Sequence, residues 1–469
     1  MKNLQFITVQ TKPFQVYRIL LVLTVILSSS SCSDFVEVPL PNSQLTGTTV
    51  FESELTANAA MAQIYVQLRD GGILSGLPTG TSVRMGLYAD ELQDYTNSTI
   101  AQPIYNNALT ADNATVASLW TSSYSQIYNA NSVIQGVENA TGLPVAVKNR
   151  VSGEALFVRA LVHFYLLQIY GSIPYITGTN YEINRKVTRS SADQVYAAIA
   201  KDLESANTRL PENYSSSDRA KPNKMVAKAM LARVYLYMNK NTEAANEATT
   251  VINSPLYAWE TDLNKIFLRN SKTTIWQLAS ATAVRNSNEG TTFIFVSGPP
   301  PVCALRTYFM NAFETGDQRK VNWTKSVTTG LNTWYHPNKY KLRTATTSSQ
   351  EYSIVLRLAE QYLIRAEARA KQGDLAGAKE DLNKIRTNAG LPITTSSIAT
   401  EILSEIQKQR RFEFFTEHGH RFFDLKRSGT ADGVLCISKP GWNSSDILWP
   451  IPELELNANP NLQPQNTGY

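Results

Sequence analysis

Histidine and cysteine are scarce in this sequence: its 469 residues hold four of the first and three of the second. No His-Glu-x-x-His pattern occurs, and the spacing in His418-Gly419-His420 does not put two imidazoles on one helix face. With Glu413, Glu417 and Asp424 nearby, those histidines are expected to pack and to join ion pairs, so no metal or other cofactor is called for. A nucleophile elbow is also missing, and Gly298-Pro299-Pro300-Pro301 has too few N–H groups to cradle a phosphate. Excess charge is lacking too. The formal charge is +5, and Lys2, Lys12 and Arg18 precede Cys32 with no acid among them, which leaves +2 from Cys32 onward. A chain this close to neutral lacks the basic stripe that a phosphate backbone requires, which excludes nucleic acid as a partner. Asp90, Glu91 and Asp94 form the one acidic cluster of note. A glycosidase pair needs a set carboxylate separation across a cleft, which adjacency in sequence does not provide, whereas bound calcium stays open. The reading is a binding protein with no catalytic residues.

No apolar run approaches the ~20 residues of a membrane-spanning helix. The longest N-terminal one is Ile19 to Leu27, after three positive charges and before Ser28-Ser29-Ser30-Ser31-Cys32. Charged, apolar and small residues in that order make a secretory signal over residues 1–31. Small residues directly before a cysteine resemble a bacterial lipobox, although Ser29 stands where Leu is usual. Cys32 is therefore the expected lipidation site and membrane anchor. Cys303 and Cys436 then remain, and sequence leaves a disulfide between them undecided.

What is abundant is helical periodicity and tyrosine. Ala155, Val158, Val162, Tyr165 and Ile169 mark one helix face, while Leu156, Ala160, Phe164 and Leu167 mark another. A helix apolar on two sides is packed on two sides, as in stacked hairpins. Ala359, Leu363, Ala366 and Ala370, then Gly373-Asp374, then Ala378, Leu382, Ile385 and Ala389 read as helix, turn, helix. Alanines at the facing positions give the close approach of tetratricopeptide repeats. Residues 191–210, 223–238 and 241–253 show the same habit without a strict period. Residues 71–114 and 261–349 are loop-rich, with strand-like pieces at Thr274–Leu278 and Thr292–Val296. The fold class is mainly α, with helix pairs as scaffold and an irregular loop-rich half suited to binding.

The chain carries 22 Tyr and 7 Trp. Trp323, Trp334, Tyr335, His336 and Tyr340 fall together in loop-like sequence that also holds Asn322, Asn332, Asn338 and Lys339. Flat rings beside amide and cationic groups suit a sugar, which offers an apolar C–H face and a rim of hydroxyls. Trp323, Trp334, Tyr335, Tyr340 and Asn338 are the candidate ligand contacts, and a satellite core beneath a long loop is the alternative. Trp120, Tyr124 and Tyr128, four residues apart, are expected to serve helix packing.

Four stretches together resemble the SusD/RagB family. They are Gly153 to Ala160 running on to Tyr170-Gly171-Ser172-Ile173-Pro174-Tyr175; Tyr362 to Ala368; Arg410 to Phe415 with Glu417 to Arg427; and Pro450-Ile451-Pro452 through Asn459-Pro460 to Asn466-Thr467-Gly468-Tyr469. Thr467 stands where the family tail usually has Pro, and Phe422-Phe423 where Trp is common. The resemblance implies an N-terminal part over 32–255, a C-terminal part over 256–469, and a surface lipoprotein of the outer membrane. It also implies a SusC-like TonB-dependent transporter as partner and an oligosaccharide, or in some members a peptide, as ligand. Its motif residues are structural, so no ligand contact is carried over from them. A secreted all-α glycoside hydrolase and a helical scaffold that recognises only proteins are the readings from other classes.

Overall fold

The longest buried helix explains the frame. A computed structural model describes residues 49–469, and Cys32 with the segment before it lies outside them. Within Val145–Tyr170 every residue from Val151 onward is buried. One side meets Ala114–Asn139 and the other meets Ala192–Arg209, the two-sided packing that its double apolar face requires. Gly171 ends the helix at φ +72°, where a Cβ would press on Leu448.

From there each helix packs on the next. Ala192–Arg209, opened by a Ser191/Gln194 capping box, meets Lys224–Tyr237, which pairs with Asn241–Ile252. Asn241–Ile252 packs directly on Leu358–Lys371, so the irregular stretch between them leaves and rejoins the stack at one place. Leu358–Lys371 turns at Gly373-Asp374 into Leu375–Asn388, where the Asp374 carboxylate accepts from Gly377 N at 2.9 Å. The alanines expected at this hairpin, Ala359, Ala366, Ala370 and Ala378, form a second core with Leu363, Leu382, Ile385, Ile402 and Ile406.

Strands are few. β1 (Leu92–Asp94), β3 (Cys303–Leu305), β5 (Asn332–Pro337) and β4 (Thr324–Thr329) form an antiparallel sheet in that order, and β2 (Thr274–Leu278) pairs with β6 (Ser353–Arg357). The β2/β6 ladder, buried at every position, closes the neck of the irregular half. The strand expected at Thr292–Val296 does not form. Asn288–Phe293 is a short helix whose Ser287 cap accepts from Gly290 N at 3.1 Å, with Glu289 in its first turn. Capping there outweighs the β propensity of Thr292, Phe293 and Ile294.

Candidate ligand-binding surface

The hairpin β4/β5 turns at Gly330-Leu331 and pairs Lys325 with His336, Val327 with Trp334 and Thr329 with Asn332. Side chains alternate across a strand, so these six residues share one face and Tyr335 lies on the other. Trp334 and Tyr335 therefore cannot form one stacking platform. Tyr335 leans on the main core. Trp334 belongs to a small separate cluster with Phe295, Ala304 and Val327, and its aromatic partner is Tyr95, just beyond β1, edge-on at 6.5 Å and 86°. No local pattern points to Tyr95, because the sheet order β1-β3-β5 brings it to Trp334.

One edge of the indole rests against Gly298, where any Cβ would overlap the ring. The Gly298 N–H donates to Thr329 Oγ1 at 2.9 Å and fixes that loop to the hairpin. Trp334 and Tyr95 are half-buried, while Lys325, Thr329 and Asn332 on the same face are exposed. An apolar ring thus stands beside an ammonium, a hydroxyl and an amide. Chemically, such a set suits stacking on a sugar face and bonding to its hydroxyls.

Trp323 and Tyr340 are core residues, contrary to expectation. Trp323 is 0% exposed, donates its indole N–H to Leu263 O at 2.9 Å and packs edge-on against Phe267. Tyr340 is 7% exposed and its hydroxyl accepts from Ile354 N at 2.9 Å. Asn338, half-buried, is used by backbone bonds: its N–H donates to Trp323 O and its C=O accepts from Lys341 Nζ, both at 2.7 Å. After β5 the chain dives inward, because Lys339 is drawn to Glu417 and the carbonyls of Glu413 and Phe415. Burial lowers the Lys339 pKa to about 8.

Comparisons with known proteins agree with this architecture. Residues 34–236 match a family described as starch-binding and associating with the outer membrane, and residues 310–439 match the SusD family. The chain belongs to the SusD/RagB family. One relative, SusD-like protein P2 of Formosa agariphila, is 27% identical over 98% of this chain and 100% of its own length. Among solved structures, a SusD-like protein from Bacteroides fragilis is 20% identical with a TM-score of 0.77, covering 90% of this chain and 98% of that one. Surface glycan-binding protein A of Bacteroides thetaiotaomicron, solved with laminarihexaose, is 22% identical with a TM-score of 0.73, covering 87% and 98%.

The SusD/RagB motif residues sit in the frame. Arg410 pairs with Asp424, Arg427 with Asp424 and Glu367, and Asn466 of the terminal motif donates to the carbonyls of Tyr170 and Trp449 at 2.8 and 2.7 Å. His418 bonds Ile354 O at 3.0 Å through Nε2, and His420 stacks on Phe414. The acidic cluster is divided by its partners. Burial opposes ionisation of Asp90, but Arg421 and Arg411 outweigh it and hold the pKa at about 2. Glu91 next to it is pushed up to about 8 by burial and then by the Asp90 charge. Asp94 Oδ1 accepts from Thr96 N and Oγ1. These carboxylates do not face one cleft, and no group of three side chains suited to a metal occurs among the described residues. Cys303, buried, and Cys436, exposed, are both free thiols.

Proposed function

We propose that this chain is a lipid-anchored protein of the outer-membrane surface that binds a glycan and passes it to a SusC-like TonB-dependent transporter. The Tyr95–Trp334 surface carries the reading, because two rings rimmed by Lys325, Thr329 and Asn332 are chemistry for a saccharide and for no reaction. Support comes from the family description, starch-binding and associating with the outer membrane, and from a structural neighbour solved with laminarihexaose. Tyr95 and Trp334 take the sugar face, and the three polar side chains take its hydroxyls. Cys32 after its serine tract supplies the anchor.

Replacing Trp334 with Ala should weaken binding of a glycan identified on a printed array by about fivefold, or ~1 kcal/mol, and lower melting temperature less than a change in the main core does, because the ring packs on only a small cluster. Tyr335→Ala should do the reverse, lowering melting temperature while folded protein binds normally. Calorimetry and thermal melts separate the two, and unchanged affinity in Trp334→Ala sinks this placement of the site.

The anchor is tested in cells. Labelled fatty acid should enter the wild type and not Cys32→Ala, and mild-detergent extracts of native membranes should yield a co-purifying barrel with the wild type. Equal labelling of the variant, or a chain that never brings a barrel with it, counts against this assignment.

A further inference from the structure

Trp120, Tyr124 and Tyr128 do not all serve packing. They lie on one face of Ala114–Asn139, with the Trp120 and Tyr124 rings 4.8 Å apart and the Tyr124 hydroxyl donating to Pro174 O. Trp120 is buried, yet Tyr128 is 51% exposed. Tyr181, which opens the short helix Tyr181–Asn184, is 71% exposed and lines the same groove. The groove holds about 460 Å³, within the roughly 300–1,000 Å³ usual for small-molecule sites.

Glu455 enters it from the helix Glu453–Ala458 near the end of the chain. Burial raises its pKa, the nearby Trp120 indole offsets that only in part, and among the described residues no cation is paired with the carboxylate. A half-buried carboxylate with spare lone pairs calls for donors. Flat phenol rings call for an apolar face. The groove already holds a cation, Arg185, which lies 5.9 Å from the Tyr181 ring centroid and is paired with Glu182 at 2.8 Å. A neutral pyranose supplies a pair of adjacent hydroxyls for the carboxylate and a C–H face for a ring without adding charge.

We propose that this groove is a second saccharide-binding site, taking one or two pyranose units of a neutral oligosaccharide between Tyr128 and Tyr181 with Glu455 accepting from its hydroxyls. It shares no residue with the Tyr95–Trp334 surface and rests on the glycan-binding reading only in being a sugar site. Its elements are separate as well: helix Ala114–Asn139, the turn after Pro174 and the terminal helix, against a hairpin and a strand.

The test is isothermal calorimetry of the full chain with gluco-, manno-, xylo- and galacto-hexasaccharides at millimolar concentration. At least one should bind at two sites. Tyr181→Ala, Tyr128→Ala or Glu455→Gln should then weaken one of them about fivefold or abolish it. Trp334→Ala should weaken only the other. Tyr128 and Tyr181 are exposed, so their variants fold, and Glu455→Gln keeps shape while removing charge. A single site sensitive to Trp334→Ala alone, or two sites indifferent to all three groove variants, overturns the second site and leaves the proposed function standing. Binding of no hexasaccharide at all overturns both.

Discussion

Arg357→Ala is expected to cost about 3–5 kcal/mol of stability, as removing one partner of a buried ion pair does. Arg357 donates to Glu413 Oε1 at 2.6 Å, to both Glu417 oxygens at 2.9 Å and to Glu413 O at 2.8 Å. Its guanidinium also lies 4.6 Å from the Phe414 ring centroid. Glu413 accepts further from Arg319, which is itself paired with Asp317, and Glu417 accepts from Lys339. All six side chains are nearly inaccessible. Three cations and three anions are balanced there, and the variant leaves three anions against two cations without water to solvate the difference. Arg357→Lys should recover little, since a point charge cannot reproduce a fork that reaches two carboxylates at once. Urea denaturation measures both, and a midpoint in Arg357→Ala equal to wild type would show the network to be dispensable.

That network marks where sequence reading stopped. Helix pairs are legible because period and burial share one cause: Ala359, Leu363, Ala366 and Ala370 recur as they do because one face meets Leu375–Asn388. The Gly373-Asp374 turn and the two-sided helix Val145–Tyr170 follow from the same local logic. The proposed binding surface does not. Trp323 and Trp334 look alike in a loop-like stretch, yet strand pairing leaves Trp334 half-buried at the sheet face and the pull of Lys339 toward Glu417 accompanies the burial of Trp323. Trp334 and Tyr335 are neighbours in sequence and on opposite faces in the sheet. Tyr95 and Glu455 each join their partners only through contacts that span much of the chain. Thr292–Val296 was misleading because a serine cap decides its start and β propensity does not.

The second large effect concerns the pair that ties the stack together across the insertion. Arg233 on Lys224–Tyr237 meets Glu360 in the first turn of Leu358–Lys371 through two bonds, Nε to Oε1 at 2.6 Å and Nη2 to Oε2 at 2.7 Å. Both side chains are 2% exposed. Glu360→Ala leaves a buried guanidinium whose one remaining hydrogen-bond partner among the described residues is the Tyr165 hydroxyl at 3.3 Å, and should cost about 3–5 kcal/mol. The double variant Arg233→Met/Glu360→Leu removes both charges and refills the volume, so it should be near neutral or gain about 1–4 kcal/mol. Its recovery relative to the single variant is the decisive number, because it separates the cost of an orphaned charge from any net worth of the pair. If the double variant is as unstable as Glu360→Ala, the pair itself stabilises the helix stack, and hydrophobic packing alone does not hold Lys224–Tyr237 against Leu358–Lys371. Denaturation of wild type, Arg233→Met, Glu360→Leu and the double variant closes that cycle.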